Sequence, residues 1–251
     1  MRSLPPLASL LLACRLLPAP TPMAQSLAAR PGDAPARCLV VLLPGAGDRM
    51  VKFAEEGFVA AIQTSGASVD VVSVDATIGY YFRGTVDERL ERDVLAPRRT
   101  RHEHVWLLGV SMGGFGALHY AQQHAAHVDG VIALAPYLGD RKLVAEIQRA
   151  GGLARWTPDP PAPLTKRNYQ RQLWSWLHRV TAADAPGPAL LLGYGDDDRL
   201  ASSNSALAAA LPGDRVFHAP GGHDWPIWRI LLAAALAHPD FTRSCAAAPV
   251  P

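Results

Sequence analysis

The chain has 251 residues, 49% of them hydrophobic and 18% charged, so it can bury a substantial core and is not globally disordered. Its formal net charge is +2, with 24 scattered lysines and arginines against 22 acids, which excludes the dense basic surface that nucleic-acid binding needs. This length suits one large domain, or one domain carrying an insertion.

Residues 1–37 differ in character from the rest. "MRSLPPLASLLLACRLLPAP" has one early positive charge and a short apolar run over 4–13, followed by a Pro/Ala-rich stretch to about Arg37. This resembles a secretory signal ahead of a flexible lead-in. Arg15 interrupts the run well short of the roughly 20 apolar residues that cross a bilayer, so no transmembrane span is expected. Cleavage is expected within 24–28, for example after Ser26. "LLAC", ending at Cys14, resembles a lipobox and offers a lipid anchor instead. Either route exports the chain to the periplasm or beyond; the alternative is a misplaced start codon ahead of a cytoplasmic protein. With Cys14 removed or lipidated, Cys38 and Cys245 remain, either as a disulfide tying the tail to the first strand or as two buried thiols. Residues 241–251 lack periodicity and read as a flexible tail.

From Cys38 a rhythm sets in. "CLVVLL" (38–43) is a continuous aliphatic run ended by "PGAGD", and a helix is expected over 50–64, with Val51, Phe53, Ala54, Phe58 and Ile62 on its apolar face. Further strands are expected at 69–75, 104–110, 130–136, 189–195 and 215–220. Helices are expected at 85–95, 112–124, 201–211 and 225–237. Short apolar runs alternating with helices describe strands buried on both faces, hence a doubly wound, mostly parallel α/β sheet of about six strands. It forms one domain over 38–240. The rhythm breaks between about 137 and 187, where no strand pattern appears; a helical, lid-like insertion is expected there. Its Trp174 and Trp176 either line a substrate entrance or form the insertion's own core.

The segment "LLGVSMGGFGALHY" sets Ser111 between Gly109 and Gly113, at the junction of a predicted strand and a predicted helix. A turn that tight brings backbones together, which is why glycines flank it. The helix start directs amides toward the serine's surroundings and favours an oxyanion. A serine hydroxyl needs a base, and "APGGHDWPIW" supplies His223 just after the last strand. The imidazole in turn needs a carboxylate. "LLLGYGDDDRLA" ends a strand in three acids, of which Asp198 is the choice and Asp197 the fallback, while Asp224 adjoins His223 too closely to reach its ring. His102 and His104 make a poor metal site without further ligands, and no metal is expected.

The order Ser111, Asp198, His223, each after a successive strand, is similar to the α/β-hydrolase superfamily across residues 38–238, and "GGHDW" resembles the histidine segment of compact bacterial esterases and acyl hydrolases. The resemblance implies a serine esterase acting on a small-molecule acyl ester through an acyl-serine, with no cofactor. It also implies an oxyanion hole built from the backbone amides of Ala46, in the loop after the first strand, and Met112. Many relatives begin that loop with His-Gly where this chain has Pro44-Gly45, so Gly45 is an alternative donor. "DATIGYYFRG" (75–84) lies beyond a strand's carboxyl end, which makes Tyr80 and Tyr81 candidate substrate contacts. The same triad serves thioesterases, peptidases and acyltransferases, and a scaffold kept only for binding is a further alternative. Trp225 and Trp228 are expected to anchor the last helix.

Overall fold

The structure, a computed structural model, describes residues 18–32, 34–182 and 185–247. Its strands are β1 (Gln25–Ala28), β2 (Cys38–Leu43), β3 (Val69–Val74), β4 (His104–Val110), β5 (Gly130–Leu134), β6 (Ala189–Gly195) and β7 (Val216–Ala219). They form one sheet in the order β1-β3-β2-β4-β5-β6-β7, parallel except where β1 joins β3 antiparallel. The six parallel strands are those expected from the apolar runs.

Every residue of β2 and β5 is buried, because helices cover both faces. Alternate side chains serve opposite layers. Leu39, Val41, Leu43 and Leu107 pack with Phe115, Tyr120 and Trp174, whereas Val40, Leu42, Trp106 and Leu108 pack with Phe53, Phe58 and Trp228. The helices are α1 (Val51–Glu55), α2 (Phe58–Gln63), α3 (Ile78–Arg83), α4 (Val86–Arg89), α5 (Met112–Gln123), α6 (Arg141–Arg149), α7 (Tyr169–Val180), α8 (Ala201–Ala208), α9 (Trp225–Leu236) and α10 (Pro239–Cys245). The single helix expected at 50–64 is two, because Gly57 adopts φ 77°, a left-handed conformation that ends α1. The helix expected over 85–95 is α4 followed by a π-helical turn at Leu90–Leu95.

The stretch read as a flexible lead-in belongs to the fold from residue 18 onward. Met23 is buried in the core, and the Ala24 carbonyl accepts from the Asp75 amide at 2.8 Å. Thr77 and Tyr80 donate their hydroxyls to the carbonyls of Pro18 and Pro20. A cut after Ser26 would divide β1. Residues 1–17, including Cys14, lie outside the described residues. The segment read as a flexible tail is likewise ordered through α10, where Phe241 packs edge-on against Trp106. Cys245 is bonded to Cys38, 207 residues away in the chain. Its carbonyl accepts from the Ser68 amide at 2.7 Å.

Between β5 and β6 the described residues form α6, a short 3-10 turn and α7, with no strand. Trp174 and Trp176 are buried on the α5 side of the sheet, and the Trp174 indole donates to the Leu138 carbonyl at 2.7 Å. They form core and line no entrance. Among the described residues no helix is long and apolar enough to cross a membrane.

Candidate active site

Ser111 stands between β4 and α5 with φ 54° and ψ −115°, a strained conformation for a residue other than glycine. The surroundings hold it there. Its amide donates to the Leu134 carbonyl at 2.9 Å, and its carbonyl accepts from the Phe115 and Tyr137 amides. The flanking glycines are a steric necessity. A β-carbon on Gly109 would lie 2.1 Å from the Gly113 carbonyl oxygen, and one on Gly113 would lie 2.0 Å from that of Leu43.

The bend aims the Ser111 hydroxyl at His223, donating to Nε2 at 2.9 Å. On the other side of the ring, Nδ1–H donates to Asp198, 2.7 Å from Oδ2 and 2.9 Å from Oδ1. The Asp198 side chain is fully buried and also accepts from the Leu200 amide at 2.7 Å, which fixes its orientation. The alternative acids do not face the ring. Asp197 is exposed, Asp196 pairs with His218, and Asp224 caps α9 by accepting from the Ile227 amide. Trp228 packs edge-on against the His223 ring and is buried in the core, while Trp225 packs on Phe53 and Phe58; both anchor α9 as expected.

The loop after β2 lies against the nucleophile. A β-carbon on Gly45 would sit 3.5 Å from that of Ser111, so this backbone approaches closely. Ala46 is exposed next to it. Met112 is the first residue of α5, where an amide has no acceptor within its own helix. The loop is fastened by a residue that the sequence reading missed. Asp75, buried at the end of β3, accepts from the Met50 amide at 2.7 Å and from the Arg49 guanidinium, 2.8 Å at Nε. Burial pushes the Asp75 carboxyl up, but Arg49 and the Met50 amide outweigh it and hold it below the usual carboxylate range. An acid closing the run "VDVVSVD" at the sheet's ligand-binding rim was the available signal.

The two tyrosines part company. Tyr80 is fully buried with its hydroxyl on Pro20, so it is core and no substrate contact. Tyr81 does line a cavity of about 750 Å³, with Met112, the residue after Ser111, and Phe115 and Tyr137 in the same wall. His102 and His104 are separately paired, with Asp70 and Asp129. Among the described residues Glu91, His124 and His127 come close enough to hold a metal, but Arg99 already donates to both Glu91 oxygens and approaches His127 Nδ1 at 3.2 Å. A guanidinium in that position makes the cluster an ion-pair network.

A serine, histidine and carboxylate in series at the carboxyl edge of a mostly parallel sheet are the mark of an α/β-hydrolase, here a serine ester hydrolase. The chain belongs to the Esterase family, whose model matches residues 79–239. It is similar to an acetyl esterase of Caldicellulosiruptor saccharolyticus, 25% identical over 209 residues, 75% of this chain and 74% of that one. A ferulic acid esterase superposes with a TM-score of 0.57 at 19% identity, over 88% of this chain and 92% of that one. An S-formylglutathione hydrolase from Staphylococcus aureus gives 0.55 at 15% identity, over 80% of each chain. At these identities the two structures establish a shared fold.

Proposed function

We propose that the protein cleaves carboxylic esters through an acyl-serine intermediate. The observation that carries this reading is the unbroken relay from Ser111 through His223 to Asp198. Ser111 attacks the ester carbonyl as His223 Nε2 takes its proton. The tetrahedral oxyanion forms against the amides of Met112 and of Ala46 or Gly45, and collapses as His223 returns the proton to the leaving alcohol. Water, deprotonated by the same nitrogen, then releases the acid. Asp198 keeps the Nδ1 proton in place and stabilises the imidazolium at both stages.

The test is fluorophosphonate labelling with mass mapping, alongside turnover of methyl acetate. Label on Ser111, with labelling and turnover both lost in Ser111→Ala, is the expected result. A folded wild type that neither labels nor turns over would sink the reading.

Export belongs to the same proposal. The Cys38–Cys245 disulfide supports an oxidising compartment. A lipid anchor at Cys14 would leave the fold intact from Pro18, whereas a cut after Ser26 would not. Mass analysis of the mature N-terminus in the producing cell distinguishes the two, and full-length protein in the cytoplasm would rule out export.

A further inference from the structure

His223 stands just ahead of α9, and the start of that helix explains how its ring is held. Asp224 is the N-cap, its side chain accepting from the Ile227 amide at 3.2 Å. His223 therefore occupies the position before the cap, and Trp228 is the fourth residue of the helix. Apolar side chains at these two positions often pack on each other as a hydrophobic staple, which fixes the angle at which the chain enters the helix. Here the staple is made of two rings, with centroids 5.1 Å apart and planes at 88°. One of its members is the base of the relay.

Trp228 is itself immobilised. Trp225 crosses it at 5.1 Å and 77°, and in turn meets Phe53 at 5.6 Å and Phe58 at 5.2 Å, both at 85°. Perpendicular contact is a preferred arrangement of aromatic pairs, and a chain of such contacts runs from His223 to fully buried phenylalanines. Trp228 is buried, and its indole N–H has no hydrogen-bond partner among the described residues. An orphaned donor costs stability, so what Trp228 offers His223 is ring surface and not a hydrogen bond.

The plane of the imidazole matters because both of its hydrogen bonds are strongest when straight, and both leave the ring within that plane. In the resting protein the ring is held by Ser111 at Nε2, by Asp198 at Nδ1 and by Trp228. Once Ser111 is acylated, its oxygen has no proton to donate and that tie is gone. Asp198 and Trp228 are then left to aim Nε2 at the incoming water.

We propose that Trp228 is a positioning residue for deacylation, keeping the His223 imidazole aligned while the acyl-serine cannot. The proposal rests on Ser111 being the nucleophile. In this step water attacks the acyl carbonyl and gives its proton to Nε2; that proton returns to Ser111 as the acid leaves.

The two half-reactions can be read apart. The rate of fluorophosphonate labelling reports attack by Ser111 alone, and kcat on 4-nitrophenyl acetate, whose leaving group departs readily, reports release of acetate. Trp228→Leu and Trp228→Met both remove the flat ring; methionine fills more of the gap and keeps a folded variant in the set. Each should slow kcat about tenfold more than it slows labelling, since a small misplacement of a catalytic group is costly. Trp228→Phe keeps a ring against His223, sheds the orphaned N–H and should restore the wild-type ratio. Phe58→Leu loosens the same aromatic cluster without touching His223, and should leave the ratio unchanged whatever it does to Tm. A loss in the Trp228 variants shared equally by both half-reactions, or matched by Phe58→Leu, would overturn the proposal. The Nδ1–H proton resonance in Ser111→Ala, where the serine tie is already missing, is a readout free of turnover. It should be sharp with Trp228 in place and broaden when Trp228→Met is added. Equal sharpness would overturn the staple's role whether or not esters are turned over, whereas a folded wild type that does not label would overturn the nucleophile.

Discussion

The Met50 amide and the Asp75 carboxylate are joined at 2.7 Å, so the last turn of the loop beside Ser111 hangs from the end of β3. Asp75 has no contact with Ser111, His223 or Asp198; it fastens the loop from which the proposed oxyanion donor comes. Asp75→Asn should lower kcat about tenfold, equivalent to about 1.4 kcal/mol, with KM little changed, because only a donor needed in the transition state is displaced. Steady-state kinetics on a small acetate ester reads the split, and an equal rise in KM would contradict a positioning role.

The same residue predicts a pH dependence. Its carboxyl is held below the usual range in the folded chain, so its contribution to stability is present above the unfolded value of about 3.9 and fades as pH falls through the lower, folded one. The Tm difference between wild type and Asp75→Asn should be constant near neutrality and narrow below about pH 4. Calorimetry across that range checks the sign.

Asp198→Asn puts an amide that can donate to Nδ1 where only acceptors stood, so it favours the wrong His223 tautomer, removes the charge that supports the imidazolium, and should lower kcat by about 10³–10⁴-fold. Asp197→Asn should be near wild type, since that side chain is exposed. Asp224→Ala should cost about 1 kcal/mol of stability through its lost cap and spare kcat. Kinetics and melting of the three variants together separate catalytic from structural acids.

Replacing both Cys38 and Cys245 with alanine opens a loop whose ends lie 207 residues apart, and should cost about 3–5 kcal/mol. Melting with and without reductant measures this. At 25 °C, kcat should be unchanged, because neither sulfur touches the relay.

A chain beginning at Pro18 keeps every contact described for Met23, β1 and the Tyr80 hydroxyl. One beginning at Leu27 loses Met23, half of β1 and the carbonyl that receives the Tyr80 hydroxyl, and should melt several degrees lower. Thermal melts of the chains starting at Pro18 and at Leu27, compared with each other, decide this.

The parallel strands and the relay were legible because each follows from local pattern. A strand buried on both faces must be a continuous apolar run, and a serine at a tight strand-to-helix turn must be flanked by glycine. Gln25–Ala28 carries no such run: an edge strand buries little, so "QSLA" passes for linker. The tail hid for a different reason, since α10 is held by Cys245 and by Phe241 against Trp106, contacts that only tertiary structure supplies. Tyr80 and Tyr81 are adjacent in sequence and were read alike, yet helix α3 turns one into the core and the other along the cavity. A residue's direction on a short, unanticipated helix is beyond what composition or spacing can tell.

The bond between Cys38 and Cys245 also decides what proteolysis can do. The proline-rich connection between α6 and α7 includes an exposed stretch at 160–163, with Ser111 on its N-terminal side and Asp198 and His223 on its C-terminal side. A single cut there would divide the nucleophile from its base in sequence, yet both fragments would stay covalently one molecule. They would migrate together on a gel until reductant released them.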